Sequence, residues 1–358
     1  MRKLNKFFHS VKSRAKNRRA RFTDLVGRLI DGAYFKANDG ADTSKRKINF
    51  HCTAWGSYVD SLFSYTIPSL LQKGNIPTLA NNGYKLELTI YTKRGEHEEI
   101  VKQYDSRLTT VKEYMSVSII PLDAATEIHS PNDLLITALL HQIERCIDED
   151  AMMFLAPPDT IFGNCSVTNA VKTVEGKNVC LAAAHPRINQ ESMLASDVFT
   201  GLKRMERNIE NDELVDLAFE YGHHELLNSF DNQDYNSTRS SALSVRAIND
   251  NTYSVIHNLP TIYLANFIKK DLQFFRQRER FHRWDSRWPR LLLRTGRLKF
   301  VGSSDLFFCV ERTADELVMA KMEKGLLNND TYVTARDRYA HNYVANTCCS
   351  VWRGKRNS

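Results

Sequence analysis

Between residues 47 and 184 the sequence alternates between two hydrophobic periods, and this alternation is the strongest constraint on the fold. Short runs with the pattern of β-strands are separated by segments with helical spacing or helix-start signals. The predicted strands are 47–53, 84–92, 115–120, 151–156 and 178–184. The run at 151–156 is wholly apolar, which is typical of a strand buried on both faces of a parallel sheet. The sequence therefore predicts an α/β fold, with a Rossmann-like, mostly parallel sheet and helices on both faces.

After residue 186 the periodicity is less regular, and the sequence predicts mixed structure. We expect two helices within 190–229, a hairpin of 242–247 and 253–257, a helix over 263–281, an extended segment over 291–301, and helices over 313–324 and at the carboxyl end. The predicted division is a basic amphipathic arm with its linker (1–45), an α/β domain (46–310) and a helical carboxyl-terminal extension (311–358).

Positive charge is concentrated at the amino end of the chain. The chain has 49 Lys and Arg against 42 Asp and Glu, and residues 1–22 contain nine of the basic residues and no acidic one. The rest therefore carries 40 basic against 42 acidic side chains, which argues against a protein that wraps nucleic acid over a whole face. Leu4, Phe7, Phe8 and Val11 have helical spacing. Such a helix predicts contact with an anionic membrane surface, and the alternative is a helix that packs its apolar stripe on the body.

The cysteines and the amino-terminal pattern bear on the cellular compartment. Seven cysteines are present, an odd number without the spacing of a zinc site or a disulfide framework, so they predict reduced thiols. Residues 1–22 lack the continuous apolar run of a secretory signal, and no run reaches the ~20 apolar residues of a membrane span. We therefore expect a cytoplasmic protein, held peripherally on the inner membrane face through residues 1–22.

Three loops follow predicted strands, at the edge of an α/β sheet where ligands usually bind. In the first, 53–57, Gly56 permits close approach of a backbone, and Trp55 can stack on a base or a sugar unless it is a core aromatic. Thr92 ends the second strand with a hydroxyl that can bond a nucleotide. Asp159 follows the wholly apolar strand and suits a hard cation or a ribose hydroxyl, or else a cap of the next helical turn.

Arginines and aromatic residues are interleaved between residues 274 and 297. Eight arginines and five aromatic residues lie in this segment, and only Glu279 and Asp285 offset them locally. This composition favours a phosphate-bearing ligand, a nucleic acid or a lipid headgroup layer. The alternative is a solvated helix face with salt bridges to the acidic body.

Several segments combine a strand with a distinctive loop. Residues 49–79 (NFHCTAWGSYVDSLFSYTIPSLLQKGNIPTL) place a strand that ends in W-G before a helix with a P-S-L-L-x-x-G-N-[IL]-P segment behind it. Residues 86–92 end in I-Y-T, and residues 152–163 (MMFLAPPDTIFG) join an apolar strand to a P-P-D loop. These segments, with shorter ones at 177–187, 255–260 and 302–305, resemble GT-A-like glycosyltransferase-type proteins of bacterial surface-polysaccharide clusters and phages.

The resemblance implies a GT-A-type fold that binds a nucleotide-sugar donor at the carboxyl ends of the strands. It implies nucleotide contacts from Thr53, Ala54, Trp55, Gly56, Thr92 and His257. Asp159 would lie near the donor diphosphate as a catalytic residue. Its loop has one acid where the metal-binding D-x-D motif has two. The resemblance therefore leaves open whether Mn²⁺ or Mg²⁺ on Asp159, or arginines of the 276–297 segment, neutralise the diphosphate.

The resemblance implies a transferase of polysaccharide biosynthesis. It would move a sugar from a nucleotide-sugar donor to a glycan or lipid-linked acceptor. One alternative is a phage-type glycosyltransferase of the same fold that acts on modified bases in DNA and holds the phosphate backbone with its arm and its arginine segment. The other is a non-catalytic adaptor that binds a membrane or RNA.

Overall fold

The computed structural model describes residues 46–122, 131–175, 177–227, 229, 243–257, 261–276, 284–314 and 349–354. The described strands are β1 (Lys47–Thr53), β2 (Lys85–Lys93), β3 (Ser116–Leu122), β4 (Ala151–Leu155), β5 (Thr160–Phe162), β6 (Cys180–Ala183), β7 (Arg187–Asn189), β8 (Leu243–Asn249), β9 (Thr252–His257), β10 (Thr261–Ala265), β11 (Leu298–Phe300), β12 (Cys309–Thr313) and β13 (Cys349–Arg353).

The described helices alternate with these strands. They are α1 (Ser57–Ser61), α2 (Ile67–Leu70), α3 (Ile76–Asn81), α4 (His97–Gln103), α5 (Asp105–Lys112), α6 (Pro131–Asp148), α7 (Ser166–Val174), α8 (Gln190–Leu194), α9 (Asp197–Lys203), α10 (Asn211–Glu220), α11 (His224–Leu227), α12 (Lys269–Arg276) and α13 (Trp284–Arg294). A π-helical stretch (Leu62–Thr66) joins α1 to α2, and a 3-10 turn (Arg94–Glu96) precedes α4.

A seven-stranded sheet forms the centre of the fold, in the order β11-β6-β10-β4-β1-β2-β3. Its strands pair in parallel except for β10, which runs antiparallel to both of its neighbours. The five strands predicted between residues 47 and 184 are all present, as β1, β2, β3, β4 and β6. The prediction of an α/β fold with a mostly parallel sheet is therefore confirmed.

Alternate residues of the central strands belong to two different apolar layers. Phe50 and Phe154 lie in one layer, with their ring centres 5.2 Å apart. Met153 belongs to the other layer and packs in a cluster with Ile143 of α6 and Trp288 of α13. Because side chains alternate across a strand, two apolar faces need a helical layer on each side. The prediction of helices on both faces is confirmed as well.

A small sheet in the order β5-β12-β7 stands at the carboxyl edge of the central sheet. β5 follows closely after β4, and β7 follows closely after β6. Since β12 pairs with both, antiparallel to β5 and parallel to β7, it joins the loops that leave β4 and β6. A further sheet in the order β13-β9-β8 contains the predicted hairpin, which is confirmed.

Two predictions after the hairpin are only partly correct. The helix expected over 263–281 begins only after β10, because this apolar run pairs with β4 and β6 inside the sheet. The extended segment expected over 291–301 is instead the end of α13 followed by β11. Trp288, Leu291 and Leu292 are buried there, and their spacing is that of a helix face rather than a strand.

The helix expected over 313–324 lies outside the described residues except for its first two positions, and at the carboxyl end a strand is present where a helix was expected. β12 ends at Thr313, where a helix was expected to begin, and β13 pairs with β9. Both strands find partners that are distant in sequence, which local periodicity does not reveal. Residues 315–348 and the arm (1–45) lie outside the described residues, so the domain division remains a prediction. Within the described ranges, no helix combines the length and apolarity that crossing a membrane requires.

Candidate active site at the carboxyl edge of the sheet

The order of the central strands reverses between β1 and β4, and open α/β sheets usually bind ligands at such a point. After β1 the Ala54 amide donates to the Tyr91 carbonyl (2.9 Å), and after β4 the Ala156 amide donates to the His51 carbonyl (2.9 Å). Both loops thus extend the ladder of the sheet by one residue before they turn away. The structure therefore brings the predicted loops after β1 and β4 to one edge, with the end of β2 beside them.

The first loop is held by contacts of its own. Thr53 is buried, and its hydroxyl lies 3.2 Å from His51 Nε2. Trp55 is partly buried against an apolar cluster that includes Tyr91, and Lys93 Nζ lies 5.9 Å from its ring centre. Stacking on a base or a sugar would therefore use the part of Trp55 that remains exposed, and this role stays a prediction.

Glu96 links the first loop to the end of β2. Gly56 has a φ of +56°, in the left-handed region that favours glycine. Its amide donates to Glu96 Oε2 (2.9 Å), and the hydroxyl of the buried Thr92 lies 3.4 Å from the same oxygen. The proposed nucleotide contacts of Gly56 and Thr92 therefore remain predictions, and Glu96 is a neighbour that the sequence did not single out.

His257 lies at the end of β9, outside the central sheet, where it pairs with Leu243 of β8. β10 begins four residues later, at Thr261, which pairs with Ala183 at the carboxyl end of β6. A connection of this length spans at most about 14 Å, so the backbone of His257 is within that distance of the carboxyl edge. Its contact with the nucleotide remains a prediction.

Charged side chains meet where β12 joins the loops after β4 and β6. The Arg312 amide donates to the Asp159 carbonyl (2.8 Å), and the Glu311 amide donates to the Pro186 carbonyl (2.9 Å). These backbone bonds and the pairing of β12 with β7 bring together five residues that we call the carboxyl-edge cluster. Its members are Asp159, His185, Arg187, Glu311 and Arg312.

Within the cluster, the two arginines have different partners. Glu311 accepts a hydrogen bond from His185 Nε2 (3.1 Å) and forms an ion pair with Arg187 Nε (3.2 Å). The guanidinium of Arg312 lies over the ring of Tyr65, 4.6 Å from its centre, and donates to the Ser61 hydroxyl. Glu311 is thus held by two cationic or basic groups, whereas Arg312 is held by uncharged ones.

The two carboxyl groups of the cluster have opposite pKa shifts. Burial, and then the negative charge of Glu311, raise the pKa of Asp159 to about 7. Burial also opposes ionisation of Glu311, but the hydrogen bond from His185 and the charge of Arg187 outweigh it and lower its pKa to about 2. Neighbouring acids whose environments separate their pKa values in this way are typical of acid and base pairs in active sites.

Tyr58 marks the side of the cluster that is open to solvent. Its side chain is 41% exposed. Burial of the rest, together with the charges of Asp159 and Glu311, raises its pKa, which places Tyr58 within electrostatic reach of both acids. A ligand that enters beside Tyr58 would therefore meet the cluster.

The surroundings of Asp159 do not fit a site for Mn²⁺ or Mg²⁺. Such ions prefer several oxygen ligands. The other carboxylate of the cluster, that of Glu311, is already bonded to His185 and Arg187. The positive charges of Arg187 and Arg312 also act on Asp159 and would repel a cation. In the part of the chain that the structure describes, no group of three or more His, Cys, Asp or Glu side chains is arranged to hold a metal ion.

Sequence reasoning found Asp159 but missed the other members of the cluster. The rule of strand ends would have indicated His185 and Arg187, because they directly follow a predicted strand. No local signal indicated Glu311 and Arg312, which reach the site only through the pairing of β12.

Arg276 and Arg297 of the arginine segment bond to acidic residues outside this site. Arg297 is buried and forms two hydrogen bonds with Asp271 (3.1 and 2.9 Å). It lies at the amino end of β6, where its carbonyl accepts from the Cys180 amide (2.7 Å). Arg276 pairs with Glu144 on the surface of α6. The expectation that this segment neutralises the diphosphate is therefore wrong for Arg297, which lies at the opposite edge.

No family model matches this chain, and no curated protein matches it either. Among solved structures, the chain is similar to a putative glucose-1-phosphate thymidylyltransferase from Bacillus anthracis in complex with a sucrose. The match has a TM-score of 0.34 and 12% sequence identity, and it covers 82% of this chain and 98% of that chain. A likeness at this level carries no argument about function, which has to come from the site itself.

Proposed function

We propose that this protein is a glycosyltransferase that moves a sugar from a nucleotide-sugar donor to a glycan or lipid-linked acceptor. The observation that carries the proposal is the carboxyl-edge cluster at the point where the strand order reverses. Glycosyl transfer requires a base for the acceptor hydroxyl and positive charge for the departing diphosphate. The cluster combines a carboxyl group with a pKa near neutrality and two arginines in one place.

Asp159 has the properties of the general base. A base is most effective when its pKa lies near the working pH, because it is then largely ionised and still accepts a proton readily. A pKa of about 7 meets this condition, whereas Glu311, with a pKa of about 2, is a poor proton acceptor. Glu311 instead raises the proton affinity of Asp159 and orients His185 and Arg187.

The nucleotide of the donor would lie along the loops after β1 and β2. Thr53, Ala54, Trp55 and Gly56 line the first of these loops, and Thr92 ends β2 beside them. This placement follows the general position of nucleotides in doubly wound sheets. His257 would approach from the connection between β9 and β10.

Two observations favour a glycan or lipid-linked acceptor over DNA. Arg276 and Arg297 are paired with acidic side chains of the protein itself, which reduces their availability to a phosphate backbone. The chain outside residues 1–22 also has slightly more acidic than basic side chains. We propose that the arm holds the enzyme on an anionic membrane surface on the cytoplasmic side, where lipid-linked acceptors would be presented.

The direct test is turnover of a panel of UDP-, GDP- and CMP-sugars, followed as release of the nucleotide. Asp159→Asn keeps the size of the side chain and removes its charge, and it should lower turnover by ~100-fold or more. Asp250→Asn is the matched control, because Asp250 is exposed in the turn between β8 and β9. It should retain full activity.

The outcome separates the alternatives. Transfer to a glycan or lipid-linked acceptor supports the proposal, and transfer to duplex DNA with modified bases would replace it with the DNA-modifying alternative. A protein that neither binds nor turns over any member of the panel would be an adaptor rather than a glycosyltransferase. Full activity of Asp159→Asn would show that Asp159 is not the base.

A further inference from the structure

Arg312 is a partly buried cation whose direct side-chain contacts are to uncharged groups, although the negative charges of Asp159 and Glu191 also act on it. Its guanidinium bonds to the Ser61 hydroxyl and lies over the Tyr65 ring, and both groups are uncharged. Its Nε is buried and has no hydrogen-bond partner among the described residues. Burial accordingly lowers the pKa of Arg312. A buried charge without a paired partner costs free energy in the folded protein, so an arrangement of this kind is typical of a site that receives an anion.

The position of Arg312 fits the anion of the proposed reaction. Its backbone amide is bonded to Asp159, the proposed base, and its strand neighbour Glu311 holds Arg187 in an ion pair. Arg312 and Arg187 belong to adjacent strands, β12 and β7, and the charges of both act on Asp159 and Tyr58. Guanidinium groups bind phosphate oxygens through paired hydrogen bonds.

We infer that Arg312, together with Arg187, binds the diphosphate of the nucleotide-sugar donor and takes the place of a divalent metal ion. This inference rests on the proposed function, and it adds the residues whose positive charge stabilises the departing diphosphate. The second argument for the inference is that a divalent cation does not fit the cluster, because a metal ion at Asp159 would be repelled by the positive charges of Arg187 and Arg312.

The group transfer then balances without a metal. The acceptor oxygen forms a bond to the anomeric carbon and gives its proton to the Asp159 carboxylate. The bond between the anomeric carbon and the diphosphate oxygen breaks, and the diphosphate leaves with the electron pair. Arg312 and Arg187 stabilise the negative charge that develops on this oxygen, as preorganised cations do in phosphoryl and glycosyl transfer sites.

Binding of UDP, GDP and CDP to the full-length protein, measured by calorimetry in EDTA and again in Mg²⁺ or Mn²⁺, tests the inference. We expect one of these nucleotides to bind in EDTA, with a Kd that the metal changes by less than about 3-fold. Arg312→Gln should weaken that binding by about 10- to 100-fold, the usual loss for a charge-assisted bond to phosphate. Arg312→Lys should recover part of the loss, and Arg276→Gln, a surface arginine at a distance from the cluster, should bind like the wild type.

The thermal stability of the nucleotide-free protein separates a binding role from a structural one. If Arg312 awaits an anion, Arg312→Gln removes an unpaired charge and its Tm should equal or exceed that of the wild type. A lower Tm together with unchanged binding would make Arg312 a structural residue and overturn the inference.

The remaining outcomes distinguish this inference from the proposed function. Binding that appears only with Mg²⁺ or Mn²⁺ would overturn metal-independent recognition and leave the glycosyltransferase proposal standing. Unchanged binding of Arg312→Gln in EDTA would have the same meaning. Failure of all three nucleotides to bind under either condition would overturn the inference, whereas the glycosyltransferase proposal is contradicted only if no member of the donor panel is turned over.

Discussion

Asp159→Asn should stabilise the folded protein at neutral to alkaline pH, although we expect it to lower turnover by ~100-fold or more. In the wild type, the pKa of Asp159 rises from 3.8 to about 7 through burial and the charge of Glu311. Between these pH values the folded state binds a proton at Asp159 that the unfolded state does not. The free energy of unfolding therefore falls as the pH rises, and the full destabilisation is present above the pKa of Asp159 in the folded state. At about 1.4 kcal/mol for each pH unit, the difference corresponds to about 4 kcal/mol as an upper limit. Because Asp159 is only partly buried, we expect about 1–2 kcal/mol.

Denaturant midpoints of the wild type, Asp159→Asn and Asp250→Asn, measured at about pH 5 and about pH 8, provide the assay. The stability gained by Asp159→Asn over the wild type should be clearly larger at the higher pH, because Asp159 is ionised there in the folded wild type. The exposed Asp250 should show no such change with pH. An equal difference at both pH values for Asp159→Asn would refute the claim that burial destabilises the ionised carboxylate.

Three further predictions concern the core, the first loop and the arm. Phe154→Ala should lower the free energy of unfolding by about 3–5 kcal/mol, since Phe154 is fully buried between the central strands and their helices, and Phe154→Leu should lose less than half as much in the same denaturant titration. Gly56→Ala should lower the free energy of unfolding by about 1–3 kcal/mol and raise the KM for the donor, because a φ of +56° is unfavourable for alanine even though no atom lies within 4 Å of the added carbon. Gly95→Ala is the control and should be close to neutral, because its position is equally open and has no positive φ. Deleting residues 1–22 removes nine cations, each of which contributes ~1 kcal/mol of binding free energy near an anionic surface. Cosedimentation with anionic liposomes should therefore be lost, while turnover of a soluble donor should persist. Retained cosedimentation would refute anchoring by the arm.

Much of the fold could be predicted because its signals are local. The central strands β1, β2 and β4 have apolar runs or alternation of the length of a strand, and helix-start signals such as Pro131 separate them. Once the strands are known, their carboxyl ends indicate the loops at Trp55 and Asp159 without any knowledge of the tertiary contacts.

The rest could not be predicted because it depends on pairing between distant residues. β10 is an apolar run that fits a helix or a strand equally well, and its place between β4 and β6 decides the outcome. Glu311 and Arg312 belong to a short strand whose partners lie at residues 160–162 and 187–189. Only this pairing gives Asp159 the neighbours that change its proton affinity, so the chemistry of the cluster is a property of the tertiary structure.

The pH dependence of kcat/KM for donor turnover tests the central claim most directly, because it measures the ionisation of the proposed base in the free enzyme. The phosphate groups of UDP-, GDP- and CMP-sugars are all esterified and do not titrate near neutrality, so the profile reports the protein. The account predicts that kcat/KM rises through a single ionisation near the Asp159 pKa of about 7 and that this step is absent from the residual activity of Asp159→Asn. A flat profile across this range in an active wild type, or the same step in Asp159→Asn, would contradict it.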